Sequence, residues 1–233
     1  MSLGNILFGN FCPMCGNLMD IREKEVCRKC RNSLPYLKMP YCMKCARPLE
    51  EEEVYCDDCK TGKHWYDRVL CLYEHTDMVK KSVYDFKFEN KRRNALWYAK
   101  EIKEKYSDYI CSLEPEVIIP VPMYKKDKLK RGYNQAAVLA EELSKMLGIP
   151  MDEKYLLKTE KTKAQKELDK ELRVFNLKKS LEINQSYSER NYKRIILADD
   201  IYTTGSTVDA CSEVLKKAGT ADITVVCISR GVI

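Results

Sequence analysis

Two adjacent carboxylates precede a run of small, hydroxylated residues in this 233-residue sequence, and together they form its most informative segment. A short apolar run ends in Asp199 and Asp200, after which the chain passes through a turn into a predicted helix. The turn consists of Tyr202, Thr203, Thr204, Gly205, Ser206 and Thr207. Such a turn can direct several backbone N–H groups at one anion, and the helix dipole and the threonine hydroxyls add to the attraction. The segment therefore predicts a site for a phosphate monoester.

The two carboxylates need a different partner, because they would repel the same anion. They can accept hydrogen bonds from vicinal hydroxyls, as in a ribose, or hold a Mg²⁺ ion. Asp199 and Asp200 are therefore the candidate catalytic residues, and the segment matches both ends of a ribose 5-phosphate. The alternative is an aspartate N-cap with an ordinary Ser/Thr turn, which the combination of strand, acid pair, turn and helix disfavours.

Most of the 12 cysteines lie in Cys-x-x-Cys pairs within the first 60 residues. The pairs are Cys12/Cys15, Cys27/Cys30, Cys42/Cys45 and Cys56/Cys59, in an approximately duplicated layout. Two pairs complete a tetrahedral Zn²⁺ site, so we expect two structural zinc ions rather than disulfides, redox-active dithiols or iron–sulfur clusters. Sequential pairing would give two ribbons and cross-brace pairing one interleaved unit; the short gaps favour the sequential scheme.

The rest of the chain alternates apolar strands with amphipathic helices. Strands are predicted over 69–73, 117–121, 194–198 and 223–229, and helices over 78–88, 94–109, 134–147 and 206–218. Residues 158–170 are polar and are predicted to form a mobile loop. This alternation is typical of a mainly parallel α/β sheet flanked by helices, in which ligands bind beyond the carboxyl ends of the strands. A boundary near residues 60–65 predicts a cysteine-rich zinc-binding module, 1–62, and an α/β domain, 63–233.

Composition limits the classes of partner and compartment. The apolar fraction of 45% is enough for a globular core, and the net charge of +6 suits a phosphate-bearing ligand or a nucleic acid. No apolar stretch approaches the length of a membrane span, and the first residues do not resemble a secretory signal. We therefore expect a cytoplasmic protein whose cysteines are reduced or bound to metal.

The segment 195–207 resembles the fingerprint of the type I phosphoribosyltransferases. Three further blocks resemble, in order, signatures of the ComF family of competence (DNA-uptake) proteins: Pro120 to Met123, Arg131 to Gln135, and Gln165 with Arg173 and Asn176. Members of that family also begin with Cys-x-x-Cys pairs, so the resemblance covers essentially the whole chain. It implies a type I phosphoribosyltransferase-like sheet preceded by a small zinc-ribbon-like module.

The resemblance also implies a ligand, phosphoribosyl pyrophosphate with Mg²⁺. Asp199 and Asp200 would face the ribose hydroxyls, and residues 202–207 would cradle the 5-phosphate. The loop after the strand 117–121 would meet the pyrophosphate, and the segment 158–173 would close over the pocket. The implied ligand-binding residues outside the fingerprint are Val121, Pro122, Met123, Arg131, Gln165 and Arg173.

Two functions remain open. The first is a phosphoribosyltransferase whose acceptor and general base are unidentified; neither His64 nor His75 lies in a matched motif. The second is a non-catalytic module that binds nucleotides or single-stranded DNA and works with other competence proteins. Aromatic and basic residues between Tyr84 and Tyr98 could stack bases, although their spacing equally fits a helix that packs on the core.

Overall fold

The computed structural model describes residues 10–50, 53–62, 64–160 and 170–231, with the side chains of 170–174 excepted. In chain order the strands are β1 (Arg68–Glu74), β2 (Val117–Pro120), β3 (Leu156–Lys158), β4 (Leu181–Ile183), β5 (Arg194–Tyr202) and β6 (Asp222–Arg230). The helices are α1 (Arg28–Arg31), α2 (Asp57–Thr61), α3 (Asp77–Phe88), α4 (Asn94–Ser112), α5 (Lys125–Arg131), α6 (Gln135–Leu147), α7 (Lys170–Lys179) and α8 (Ser206–Lys217). Within the described ranges, no helix combines the length and the apolar character of a membrane span.

Four strands form a parallel sheet in the order β1-β6-β5-β2. Its strands are almost continuously apolar because both faces are covered, as is usual for parallel sheets. β3 and β4 form a separate antiparallel pair that the sequence did not predict. The predicted mobile loop lies mostly outside the described residues, and it begins within β3.

Helices cover the sheet on both faces. Leu70, Ile118, Ile196 and Val226 belong to a core cluster that also contains buried residues of α3, α4 and α6. The strand residues that alternate with these face the other side of the sheet. They belong to a second cluster, which also contains Val208, Cys211 and Leu215 of α8. The predicted fold class, a mainly parallel sheet flanked by helices, is therefore confirmed.

The cysteine-rich segment packs against both faces at the β1 edge. We call residues 10–32 the first ribbon and the described residues of 40–62 the second ribbon. The chain between them pairs with β1: Leu37 N donates to Leu72 O at 3.0 Å, and Glu74 N donates to Pro35 O at 2.9 Å. First-ribbon residues such as Met14 join the α4 cluster, whereas second-ribbon residues such as Ala46 join the α8 cluster. The ribbons thus share the cores of the α/β part, and the division at residue 62 remains a prediction.

Candidate functional site

The eight paired cysteines lie in two groups of four. Cys12, Cys15, Cys27 and Cys30 form one group and Cys42, Cys45, Cys56 and Cys59 the other; within each group the sulfur atoms lie within 4.8 Å of one another. Four thiolates at this spacing suit tetrahedral Zn²⁺, so the residues fit the metal that the sequence predicted. Sequential pairing is confirmed.

The turns at the first Cys-x-x-Cys pair of each ribbon, Cys12/Cys15 and Cys42/Cys45, have the same geometry. Gly16 N donates to Cys12 O and Ala46 N donates to Cys42 O, each at 2.8 Å. Both residues adopt the left-handed conformation, with φ of 76° at Gly16 and 57° at Ala46. The duplication visible in the cysteine spacing therefore extends to the backbone.

The acidic pair lies near the carboxyl end of β5, where only one of its charges is neutralised by a cation. Lys87 Nζ lies 2.9 Å from Asp200 Oδ1, and Asp200 N donates to Asp199 Oδ1 at 2.8 Å. The buried Asp200 Oδ2 has no hydrogen-bond partner among the described residues. Burial, reinforced by the neighbouring Asp200 charge, raises the pKa of Asp199 above its usual range. The proton on Asp199 is therefore held more tightly than that of an isolated aspartate, which lessens the repulsion between the two adjacent side chains.

The turn after β5 depends on a close approach at Gly205. This residue has φ of 79°, and a Cβ there would lie only 2.3 Å from the Tyr202 hydroxyl oxygen. Thr203, Thr204 and Thr207 are exposed around a small recess of about 20 Å³. The hydroxyls of Thr204 and Ser206 lie 2.8 Å apart. Exposed hydroxyls in front of the first turn of α8 are the arrangement expected of an anion site.

Tyr202 supports this turn from beneath. Its side chain is buried, and its hydroxyl lies 2.6 Å from that of Tyr66. The predicted contact of Tyr202 with a ligand would therefore run through its main chain, which borders the recess.

A pocket of about 340 Å³ joins the acidic pair to the loop after β2. The parallel pairing of β2 with β5 places Pro120 opposite Ala198, and Val121 N donates to Ala198 O at 2.8 Å. Asn134, the N-cap of α6, donates from Nδ2 to Val121 O at 3.0 Å and so holds the loop. Among the predicted site residues the pocket brings together Val121, Pro122, Met123, Asp199, Asp200, Thr203 and Thr207.

Two lysines that were not among the predicted site residues also line the pocket. Lys87 comes from α3, and Lys158 comes from the end of β3. Burial lowers the pKa of Lys158. A Lys-rich sequence carries no local signal that distinguishes these two from exposed lysines, because their placement depends on tertiary contacts.

Several predicted residues lie elsewhere or beyond the described part. Arg131 does not line the pocket: its guanidinium stacks 4.8 Å from the Phe88 ring centroid and donates to Gln135 Oε1 at 2.6 Å. Gln165 lies outside the described residues, and Arg173 lies in α7 with its side chain not described. Of the histidines, His75 Nδ1 lies 2.9 Å from Ser229 Oγ and His64 Nδ1 lies 3.5 Å from Asp209 Oδ1. Neither histidine lines the pocket.

The aromatic residues between 84 and 98 divide into two groups. Phe86, Trp97 and Tyr98 are buried in the core. Tyr84 and Phe88 are 55% and 54% exposed, and their ring centroids are 4.9 Å apart. Of the aromatic residues between 84 and 98, only this pair is available for stacking on a base.

Comparison with known proteins places the chain in a family. Residues 3–60 match the model of the double zinc ribbon domain. Competence protein F of Haemophilus influenzae is 30% identical over 223 residues, which span 94% of this chain and 96% of that protein. The chain belongs to the ComF family of competence proteins. Competence protein ComFC of Bacillus subtilis, a second ComF relative, is 30% identical across 85% of this chain and 81% of that protein.

A solved structure shows a weaker similarity. The purine phosphoribosyltransferase of Pyrococcus horikoshii aligns with 57% of this ComF chain and 73% of its own, at 20% identity and a TM-score of 0.37. At that score the superposition carries no argument about the site.

Proposed function

We propose that this ComF protein binds phosphoribosyl pyrophosphate, or a related ribose 5-phosphate ligand, together with Mg²⁺. The observation that carries the proposal is the position of the acidic pair between two different anion-binding features. On one side lies the hydroxyl-rich recess at the start of α8, and on the other lies the pocket with Lys87 and Lys158. A ligand with a phosphate at one end, hydroxyls in the middle and a pyrophosphate at the other end matches this order.

The roles of the residues follow from their chemistry. Thr203, Thr204 and Thr207 offer hydroxyls to the 5-phosphate, and Gly205 lets the backbone approach it. Asp200 lines the pocket, where its carboxyl group is suited to accept a hydrogen bond from a ribose hydroxyl or to contact a cation. Lys158 offers positive charge to the pyrophosphate near the loop 121–123, and Lys87 balances the charge of Asp200 beside it. Contacts from Gln165 and Arg173 remain predictions.

The reaction that such a site would support is displacement of pyrophosphate from the anomeric carbon. Asp199 and Asp200 would hold the ribose hydroxyls, and the recess would anchor the phosphate, so that the reacting carbon is oriented. A bound Mg²⁺ would neutralise charge on the leaving pyrophosphate. The acceptor is unidentified. Because the family consists of competence proteins, we place the activity in DNA uptake.

Ligand-induced stabilisation tests the proposal directly. Phosphoribosyl pyrophosphate with Mg²⁺ at 100 times its Kd should stabilise the wild type by about 2.7 kcal/mol. The Asp199→Asn, Asp200→Asn double variant should show almost no stabilisation. The matched control is Glu141→Gln with Glu142→Gln, which removes two adjacent carboxylates from α6 that both pair with Lys145. The proposal fails if the wild type does not respond. If the wild type is stabilised, release of pyrophosphate in the presence of candidate acceptors distinguishes phosphoribosyl transfer from binding alone.

A second candidate function is binding of single-stranded DNA, and the exposed Tyr84–Phe88 pair favours it. Arg131 stacks on Phe88, so a cation accompanies the aromatic surface. Stacking is worth about 1–3 kcal/mol per base. The Tyr84→Ala, Phe88→Ala variant should therefore weaken salt-sensitive binding of an oligonucleotide at least about 10-fold, measured by fluorescence anisotropy. Tyr109→Ala, which removes another exposed aromatic ring, is the control. Equal affinities for the wild type and both variants would exclude this surface.

A further inference from the structure

Arg230 connects the second zinc ribbon to the turn of the candidate site. It is buried at the end of β6. Its Nε donates to Cys45 O at 3.1 Å, and its Nη1 donates to Thr203 O at 2.8 Å. Nη1 also donates to Gly231 O. One side chain thus holds the main chain of a zinc ligand and the main chain of the anion-binding turn.

We propose that Arg230 is a positioning residue that couples the second zinc site to the anion-binding turn. Zinc fixes the Cys42–Cys45 knuckle, and Arg230 transmits that fixed position to Thr203. The inference rests on the proposed function, because it treats residues 203–207 as the place where a phosphate binds. It goes further by giving the second zinc a role in ligand affinity.

The position of Tyr202 strengthens this connection. The Arg230 guanidinium lies 4.8 Å from the Tyr202 ring centroid, and that ring fills the space beneath Gly205. On the other side the Tyr202 hydroxyl bonds to the buried Tyr66. Lys44, inside the second knuckle, lies 5.7 Å from the Tyr66 ring centroid. The floor of the turn is therefore enclosed by residues that the second ribbon contacts.

The start of α8 is held from the same side. Trp65 N donates to Asp209 Oδ1 at 2.8 Å, and the chain enters residue 65 from the second ribbon. Asp209 lies in the first turn of α8. Both ends of the segment 203–209 are thus attached to the second ribbon or to the residues that closely follow it.

An arginine suits this position better than a lysine. Its described hydrogen bonds go to three carbonyl oxygens on different segments, which the planar guanidinium can reach at once. A lysine would supply a single ammonium and could not stack on Tyr202 in the same way. Replacement by lysine keeps the charge and removes the geometry.

The first ribbon provides a matched comparison. Its Arg31 also reaches the α/β part, where it stacks 4.8 Å from the Trp97 ring centroid and lies 3.6 Å from Glu101. Both partners belong to α4 rather than to the turn. Arg31→Lys therefore changes a ribbon contact of the same kind without changing Thr203.

Coupling between two sites is reciprocal, so ligand binding should in turn affect the second zinc site. Phosphoribosyl pyrophosphate with Mg²⁺ should slow the release of one of two zinc equivalents to a zinc-selective chelator. In the wild type we expect the slow equivalent to be the second site, identified by Cys12→Ser and Cys42→Ser variants. Equal slowing of both equivalents, or of neither when the ligand does bind, would overturn the proposal.

Substitutions of the two arginines test the same coupling, first in ligand-free protein and then through ligand affinity. In ligand-free protein, amide hydrogen exchange of residues 203–208 should accelerate about 10- to 100-fold in Arg230→Lys, as expected from losing charge-assisted hydrogen bonds, and stay unchanged in Arg31→Lys. The Kd of phosphoribosyl pyrophosphate should rise by a similar factor in Arg230→Lys alone. If that variant does not fold, Tyr66→Phe, which removes only the hydroxyl bond to Tyr202, should show the same acceleration more weakly. Unchanged exchange in the folded variant would overturn the coupling, whereas absence of ligand binding by the wild type would overturn only the proposed function.

Discussion

The close contact beneath Gly205 makes Gly205→Ala the sharpest test of the turn. A methyl group there would meet the Tyr202 hydroxyl oxygen at 2.3 Å and its ring carbon Cζ at 2.7 Å. Tyr202 cannot move away freely, because Tyr66 and Arg230 hold it. The backbone conformation is also unfavourable for alanine, since φ is 79°.

The expected cost has two parts. A left-handed conformation costs a non-glycine residue about 1–2 kcal/mol. Displacing a packed ring adds about 1–3 kcal/mol. Gly205→Ala should therefore lower the free energy of unfolding by about 2–5 kcal/mol and weaken phosphoribosyl pyrophosphate binding. Gly148→Ala separates the two parts, because Gly148 has φ of 71° but an added Cβ would meet nothing within 4 Å.

Thermal unfolding followed by circular dichroism, with zinc in slight excess, measures both variants. Gly205→Ala should have a Tm lower than that of Gly148→Ala by roughly 4–8 °C, which corresponds to an excess cost of about 2 kcal/mol. In a Tyr202→Phe background, which lacks the nearest atom, the excess should shrink. Equal Tm values for Gly205→Ala and Gly148→Ala would refute the account of the turn.

Three further outcomes are expected. Because both ribbons share cores with the sheet, removing zinc with a chelator should abolish helical circular dichroism across the whole chain; an intact helical signal would contradict this. Burial raises the pKa of Glu101, so native protein binds its proton more tightly than unfolded protein. The unfolding free energy should therefore fall as pH rises through the glutamate range, and a Glu101→Gln variant should lose that fall in urea titrations. Lys87→Met leaves the Asp200 carboxylate without its cation and should cost about 1–3 kcal/mol, which Asp200→Asn in the same chain should partly restore; no restoration would argue against the ion pair.

The sequence predicted most closely those helices and strands in which apolar residues recur at a regular spacing. The predicted helix over 134–147 corresponds to α6, Gln135–Leu147, and the predicted strand over 69–73 to β1, Arg68–Glu74. The helix α5, Lys125–Arg131, was not predicted, because its sequence of mostly charged residues has no apolar face. The hairpin of β3 and β4 was also missed, since each strand is only three residues long.

The residues of the candidate site also divide into those that the sequence predicted and those that only the structure brings together. The acidic pair, the hydroxyl-rich turn and the four cysteine pairs are contiguous or closely spaced, and their chemistry depends on that spacing alone. The sequence by itself therefore determined the kind of ligand to expect and the number of zinc sites. Lys87, Lys158 and Arg230 come from distant parts of the chain. Lys158 begins the segment predicted to close over the pocket, but no local pattern singles out any of the three side chains. Only the tertiary structure decided that the first two enter the pocket and that Arg230 joins a zinc knuckle to the turn, because charged side chains acquire such roles through packing and burial rather than through sequence neighbours.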